Sequence, residues 1–142
     1  MLRPILAALA VALYSSTVLG QVSYYSHLPD GKIYRSSFSR AEIAASPKWL
    51  GKDDNPPLSA RKALKLAQST FDKTALPKYG DLVVQLWEAT LMWLGDDKWV
   101  WRVRYHWHVP KGFSSGPGSD FYVLILMDGT VASPRKPKDG EH

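Results

Sequence analysis

Cysteine is absent from the 142 residues. That excludes disulfides, a thiolate nucleophile and a lipid-modified cysteine anchor, so a folded form must rest on a packed core. Asparagine occurs once, at Asn55, where the following Pro56 bars a glycosylation sequon. The four histidines, His27, His106, His108 and His142, are not placed in a way that suggests a Ser-His-acid arrangement. The paired acids Asp53-Asp54 and Asp96-Asp97 read as solubilising turn residues. Neither enzymatic activity nor a cofactor is therefore expected. A strong excess of one charge is also missing. The formal charge of +5 is mild and scattered along the chain, which does not announce a nucleic-acid binder.

What is present begins with a leader. Arg3 is followed by an apolar run from Ile5 to Tyr14 and then by small residues ending in Val18-Leu19-Gly20. This is the layout of a secretory signal, and the run is shorter than the ~20 apolar residues that span a bilayer. Residues 1–20 are expected to be a signal peptide cleaved near Gly20, giving a secreted or periplasmic protein with no transmembrane segment after cleavage.

The stretch from Leu82 to Val109 organises the rest, with five of the six tryptophans inside it. From Lys98 onward it alternates, with Trp99, Trp101, Val103, Tyr105, Trp107 and Val109 on one side and Lys98, Val100, Arg102, Arg104, His106 and His108 on the other. A period of two predicts a strand buried on one face and wet on the other. It is the second strand of a hairpin turning at Gly95-Asp96-Asp97. A two-residue loop would put the Glu88 carboxylate opposite Tyr105 on the aromatic face, where it lacks a partner. A three-residue loop pairs Trp93 with Trp99, Leu91 with Trp101, Ala89 with Val103, Trp87 with Tyr105 and Glu88 with Arg104, and is the register favoured.

The aromatic face needs a cover. Leu58 and Ser59 supply a staple and an N-cap, and Ala60, Ala63, Leu64, Ala67 and Phe71 follow at helical spacing. The alanines let this helix approach the sheet closely. Residues 21–55 read as an extended N-terminal arm or linker. Within it, Ser39 and Glu42 form a capping box that allows a short helix over Arg40 to Ala45, stopped by Pro47. After Val109 a Gly, Pro and Ser-rich connector carries Phe113. The run Asp120 to Met127 is almost continuously apolar, predicting a strand covered on both faces or an interface. Asp128-Gly129 is a turn signal leading into a short edge strand at Thr130 to Ala132, and residues 134–142 read as a disordered tail. The predicted fold is α+β: one main helix packed on an antiparallel sheet of three to four strands over residues 56–133.

The helix PPLSARKALKLA, the strand KWVWRVRY and the closing FYVLILMDGTV hairpin resemble PepSY-like domains, small exported modules of cystatin-like architecture. The resemblance covers residues 56–133. It implies a binding or inhibitory role, including peptidase regulation, and no catalytic residues. The preferred expectation is a non-enzymatic envelope module that docks a protein or peptide, with strand addition at the edge near Val131 as one mode. Binding-surface candidates are Arg102 and Arg104 on the outer sheet face and Phe113 in the connector. The alternative is a small-ligand or metal carrier. There His106 and His108, two residues apart on one strand face, would ligate zinc or copper with Glu88 as the nearby donor.

Overall fold

The computed structural model describes residues 20–74, 83–108 and 119–141. The leader reading, the loop before the first long strand and the connector with Phe113 fall outside the described residues. The elements in chain order are β1 (Val22–His27), β2 (Ile33–Phe38), α1 (Arg40–Ala45), α2 (Ala60–Thr74), β3 (Val83–Gly95), β4 (Lys98–His108) and β5 (Asp120–Leu126). β1 and β2 form a two-stranded antiparallel sheet, and β3, β4 and β5 form a three-stranded antiparallel one with β4 in the middle. The chain is thus α+β. Among the described residues no helix is long and apolar enough to cross a membrane.

α2 starts where its cap requires. The Ser59 hydroxyl accepts from the Lys62 amide at 3.3 Å, and Leu58 is buried in the cluster that holds Ala63. Ala63, Ala67 and Phe71, spaced by one turn each, form the buried stripe. They pack with Trp101, Val103 and Tyr105 of β4 and Phe121, Val123 and Ile125 of β5. Phe71 is 1 % exposed, stacked on Tyr105 at 4.8 Å and edge-on to Phe121 at 5.3 Å. The indole N–H of Trp101 donates to the Leu58 carbonyl at 2.9 Å and ties the helix entrance to the sheet.

Two expectations are corrected. Residues 21–55 are not an extended arm, because β1, β2 and α1 cover the second face of the sheet. Val22, Phe38 and Ile43 pack with Val100, Leu124 and Leu126, which is why β5 is apolar at successive positions. The hairpin also runs along the outer edge of β5, where the Ser26 hydroxyl accepts from the Tyr122 amide at 2.8 Å. Its tip, Leu28 and Tyr34, joins the cluster under α2. Residues 134–141, expected to be a disordered tail, are held against β2: Arg135 exchanges two backbone hydrogen bonds with Arg35, and Glu141 bonds both arginines. Thr130 to Ala132 contributes an isolated bridge between Val131 and Ile125 in place of a fourth strand.

The β3–β4 register combines the two loop readings. Trp93 faces Trp99, Leu91 faces Trp101, Ala89 faces Val103 and Glu88 faces Arg104. Yet the loop itself is Asp96-Asp97, both at positive φ (47° and 54°), as a two-residue hairpin turn demands. A bulge at Leu94 reconciles the two, and a second at Trp87 leaves Tyr105 opposite Leu86. Lys48 bonds Asp96 at 2.9 Å and the Trp49 amide donates to the Asp97 carbonyl at 2.9 Å, holding the turn.

Alternation predicts Lys98 on a wet face, yet it is 5 % exposed. Its ammonium donates to the carbonyls of Ala44, at 2.8 Å, and Ser46, closing the C-terminal end of α1. Replacing Lys98 with Met keeps the aliphatic stem but strands those acceptors, and denaturant unfolding should show a loss of ~1–3 kcal/mol. Phe71→Ala opens a cavity under α2 and should cost ~3–5 kcal/mol in the same assay, with β-sheet circular dichroism retained at low denaturant.

Candidate functional site

The second face of the sheet carries the charged candidates, and the fold has neutralised most of them. Arg102 donates to the Tyr24 hydroxyl at 2.7 Å and to Glu88, with its guanidinium 5.0 Å from the Tyr24 ring centre. Arg104 pairs with Asp120 at 2.8 Å and lies 5.7 Å over the Trp87 ring. The binding-surface candidates Arg102 and Arg104 thus each hold a carboxylate within the fold, while their Nε atoms are buried without a hydrogen-bond partner among the described residues. Glu88 sits opposite Arg104 in the ladder but pairs diagonally with Arg102, and Thr90 Oγ1 donates to it at 2.9 Å.

These bonds set the ionisation. Hydrogen bonds from Arg102 and Thr90 hold the Glu88 carboxyl below the ordinary glutamate value. Burial works to raise the Asp120 carboxyl, but the bonds from Arg104 and His106 outweigh it and leave it lowered. His106 Nδ1 is 3.0 Å from Asp120 Oδ1, and the imidazole packs on Trp87 at 4.9 Å. His108 lies opposite Val83 near the end of the described strand. Among the described residues no group of three or more metal-ligating side chains is assembled. Glu88, the donor the carrier reading requires, is committed to Arg102.

Among the described residues, the surface left open is the outer edge of β3. Backbone polar groups alternate sides along an antiparallel strand. Because the Trp107 amide donates to Ser119 beside β5, the odd-numbered residues of β4 turn their amides to β5 and the even-numbered ones turn theirs to β3. Their partners Thr90 and Met92 are thus satisfied within the sheet. Ala89, Leu91 and Trp93 direct their N–H and C=O groups outward, and among the described residues no strand pairs with them. Several large apolar side chains along this strand are bare, with Trp93 62 % exposed, Trp87 56 % exposed and Leu86 also exposed, while Leu91 is half-buried.

Position explains that exposure. α2 lies over β5 and β4 rather than over β3, so the helix-side residues Leu86, Ala89 and Trp93 lack its cover. The bulge turns Trp87 to the opposite face with Glu88, so indoles flank the edge from both sides. Near Val131, the edge expected to take an added strand, the chain is joined to β5 by a single bridge, Val131 to Ile125, and by the Ala132 N–H, which donates to the Leu124 carbonyl at 3.0 Å; it offers a far shorter run than β3. Arg102 and Arg104 lie in the covered layer, and Phe113 is outside the described residues. The signal that was available is negative. From Val83 to Gly95 there is no proline and no lysine, the usual guards of an edge.

Comparison with protein-family models, curated proteins and solved structures returns no match to this chain.

The acid response of the second face follows from the lowered carboxyls. A lowered folded value means that the unfolded chain binds more protons, so the contribution of Glu88 and Asp120 is full above their ordinary values of 4.5 and 3.8 and is lost as pH falls through the lower folded ones. Urea unfolding should show stability level at neutral pH and declining below about pH 4.5. Glu88→Gln with Asp120→Asn should lessen that decline, leaving the part carried by Glu141, whose carboxyl is held down to about 2.

Proposed function

We propose that this protein is an exported, non-enzymatic docking module of PepSY-like, cystatin-like character that accepts an extended segment of a protein partner as an added strand on β3. The observation that carries the reading is the length of β3 along which no described strand pairs, with outward backbone groups at Ala89, Leu91 and Trp93 and indoles on both flanks. Main-chain pairing would supply the sequence-tolerant part of the affinity. Trp93 and Leu91 on the helix side and Trp87 on the other side would select apolar or aromatic side chains at alternate positions of the incoming strand. The leader-like first twenty residues support export to the periplasm or beyond, and the sequence resemblance supports a binding role in which a peptidase is one partner class.

The test uses extended peptides. A display library of eight-residue peptides is selected on the purified protein, and the binders are mapped by amide chemical-shift changes. Binders should perturb Ala89, Leu91 and Trp93 first. They should lose most of their affinity on Ala89→Pro, which removes an outward N–H and leaves the β4 ladder intact. Binding that maps to the α2 surface or survives Ala89→Pro would refute the β3 site.

A further inference from the structure

Resting on that reading of β3 as a docking edge, we infer that the strand it takes is the β3 of a second copy of this chain, paired antiparallel about a two-fold axis centred on Leu91. Three features of the edge are self-complementary. The first is size. Centring on Leu91 sets the residues with outward backbone against one another, Leu91 against Leu91 and Ala89 against Trp93 of the other copy. Ala89 is exposed and has only a methyl group to offer, whereas the Trp93 indole beside it is bare on the same helix-side face. In this register each Trp93 indole lies across the partner's alanine, so the largest exposed group on the helix side covers the smallest position. Shifting the centre to Thr90 sets Ala89 against Leu91 and carries Trp93 to the Trp87 bulge, where ladder pairing stops.

The second feature is charge. Between the bulges at Trp87 and Leu94 the only charged residue is Glu88, already paired with Arg102. The two-fold sets it against Leu94 of the other copy. The two Glu88 residues are then six positions apart, roughly 20 Å at ~3.4 Å per residue and beyond the ~8–10 Å screening length. No like charges meet across the seam. The third feature is length. The two bulges bound a run of six regularly paired residues, Glu88 to Trp93, whose middle lies next to the proposed axis. The product is a continuous six-stranded sheet, with a helix-side groove floored by Leu91 and Trp93 of both copies.

Sedimentation of the purified protein over a concentration series tests this. A reversible dimer is expected. Ala89→Pro should weaken it about tenfold to a hundredfold through two lost backbone hydrogen bonds per dimer. Trp93→Ala should weaken it also, with circular dichroism unchanged for each variant. The chain has no cysteine, so Leu91→Cys gives a clean cross-link readout. Residues facing each other in a hydrogen-bonded pair are ~5.5 Å apart at Cα, within the ~4.4–6.8 Å that a disulfide spans. Copper-phenanthroline should therefore link Leu91→Cys and not Ser69→Cys, which is exposed on α2. A monomer up to millimolar concentration, or a dimer indifferent to Ala89→Pro and Trp93→Ala, overturns self-pairing. If display-selected peptides still bind β3 in that case, the edge docks a foreign strand and only the inferred occupant is wrong. If they do not, the docking reading falls with it.

Discussion

Close contact between the alanine stripe of α2 and the aromatic side of β4 and β5 is the constraint from which the rest follows. Ala63 and Ala67 carry single methyl groups, so the helix axis can approach the sheet until Phe71 fills the space beside Tyr105 and Phe121. Burial there pushes the Tyr105 hydroxyl up to about 12, with the nearby Asp72 charge adding to it. One fifteen-residue helix covers only two strands at this distance. It lies over β5 and β4, and on its side of β3 the Trp93 indole is left in water.

The opposite face shows how charge is accommodated when a second layer closes over it. Arg102 and Arg104 would be costly to cover if bare, because burial disfavours the ionised form. Each is given a carboxylate, Glu88 or Asp120, and an aromatic ring, Tyr24 or Trp87. Lys98 receives carbonyl oxygens instead, at the end of α1 where the unsatisfied acceptors of a helix point outward. Two of the charges that alternation placed on a wet face, Lys98 and Arg102, therefore serve as attachment points for the N-terminal layer, while Arg104 is held within the sheet by Asp120 and Trp87. This is physically consistent with a strand read as amphipathic and found covered on both sides.

Local patterns were legible and long-range ones were not. The caps of α1 and α2, the helix stripe, the extent of β4 and the facing of Trp93 on Trp99 could all be read from spacing, because each depends on neighbours within a turn or a hairpin. β1 and β2 escaped notice because their inward positions include Ser26 and Ser36, small polar residues that break the apolar alternation but allow close packing on β5. The bulge at Trp87 is invisible in a sequence where Leu86, Trp87 and Glu88 fit either face. The candidate site was missed for a related reason. Whether an edge is open depends on which segment lies beside it, and here residues far apart in the chain, Ser26 and Ala132, close β5.

The contrast between the two edges argues that the open one is retained for use. β5 is sealed along its length by the Ser26 side chain and the 130–132 segment, and the tail is locked to β2 at Arg135 by two backbone bonds and the Glu141 carboxylate. Hydrogen bonds from Arg135 and Lys138 hold that carboxyl down to about 2, so the lock stays charged through ordinary acidity. A chain that protects one edge so thoroughly could have guarded the other with a single lysine or proline between Glu88 and Trp93. It places Ala89, Leu91 and Trp93 there instead, with bulges only at the ends of the run. Unpaired backbone groups beside exposed indoles invite association, and the size and charge pattern of this run narrows that association to a strand that can match it.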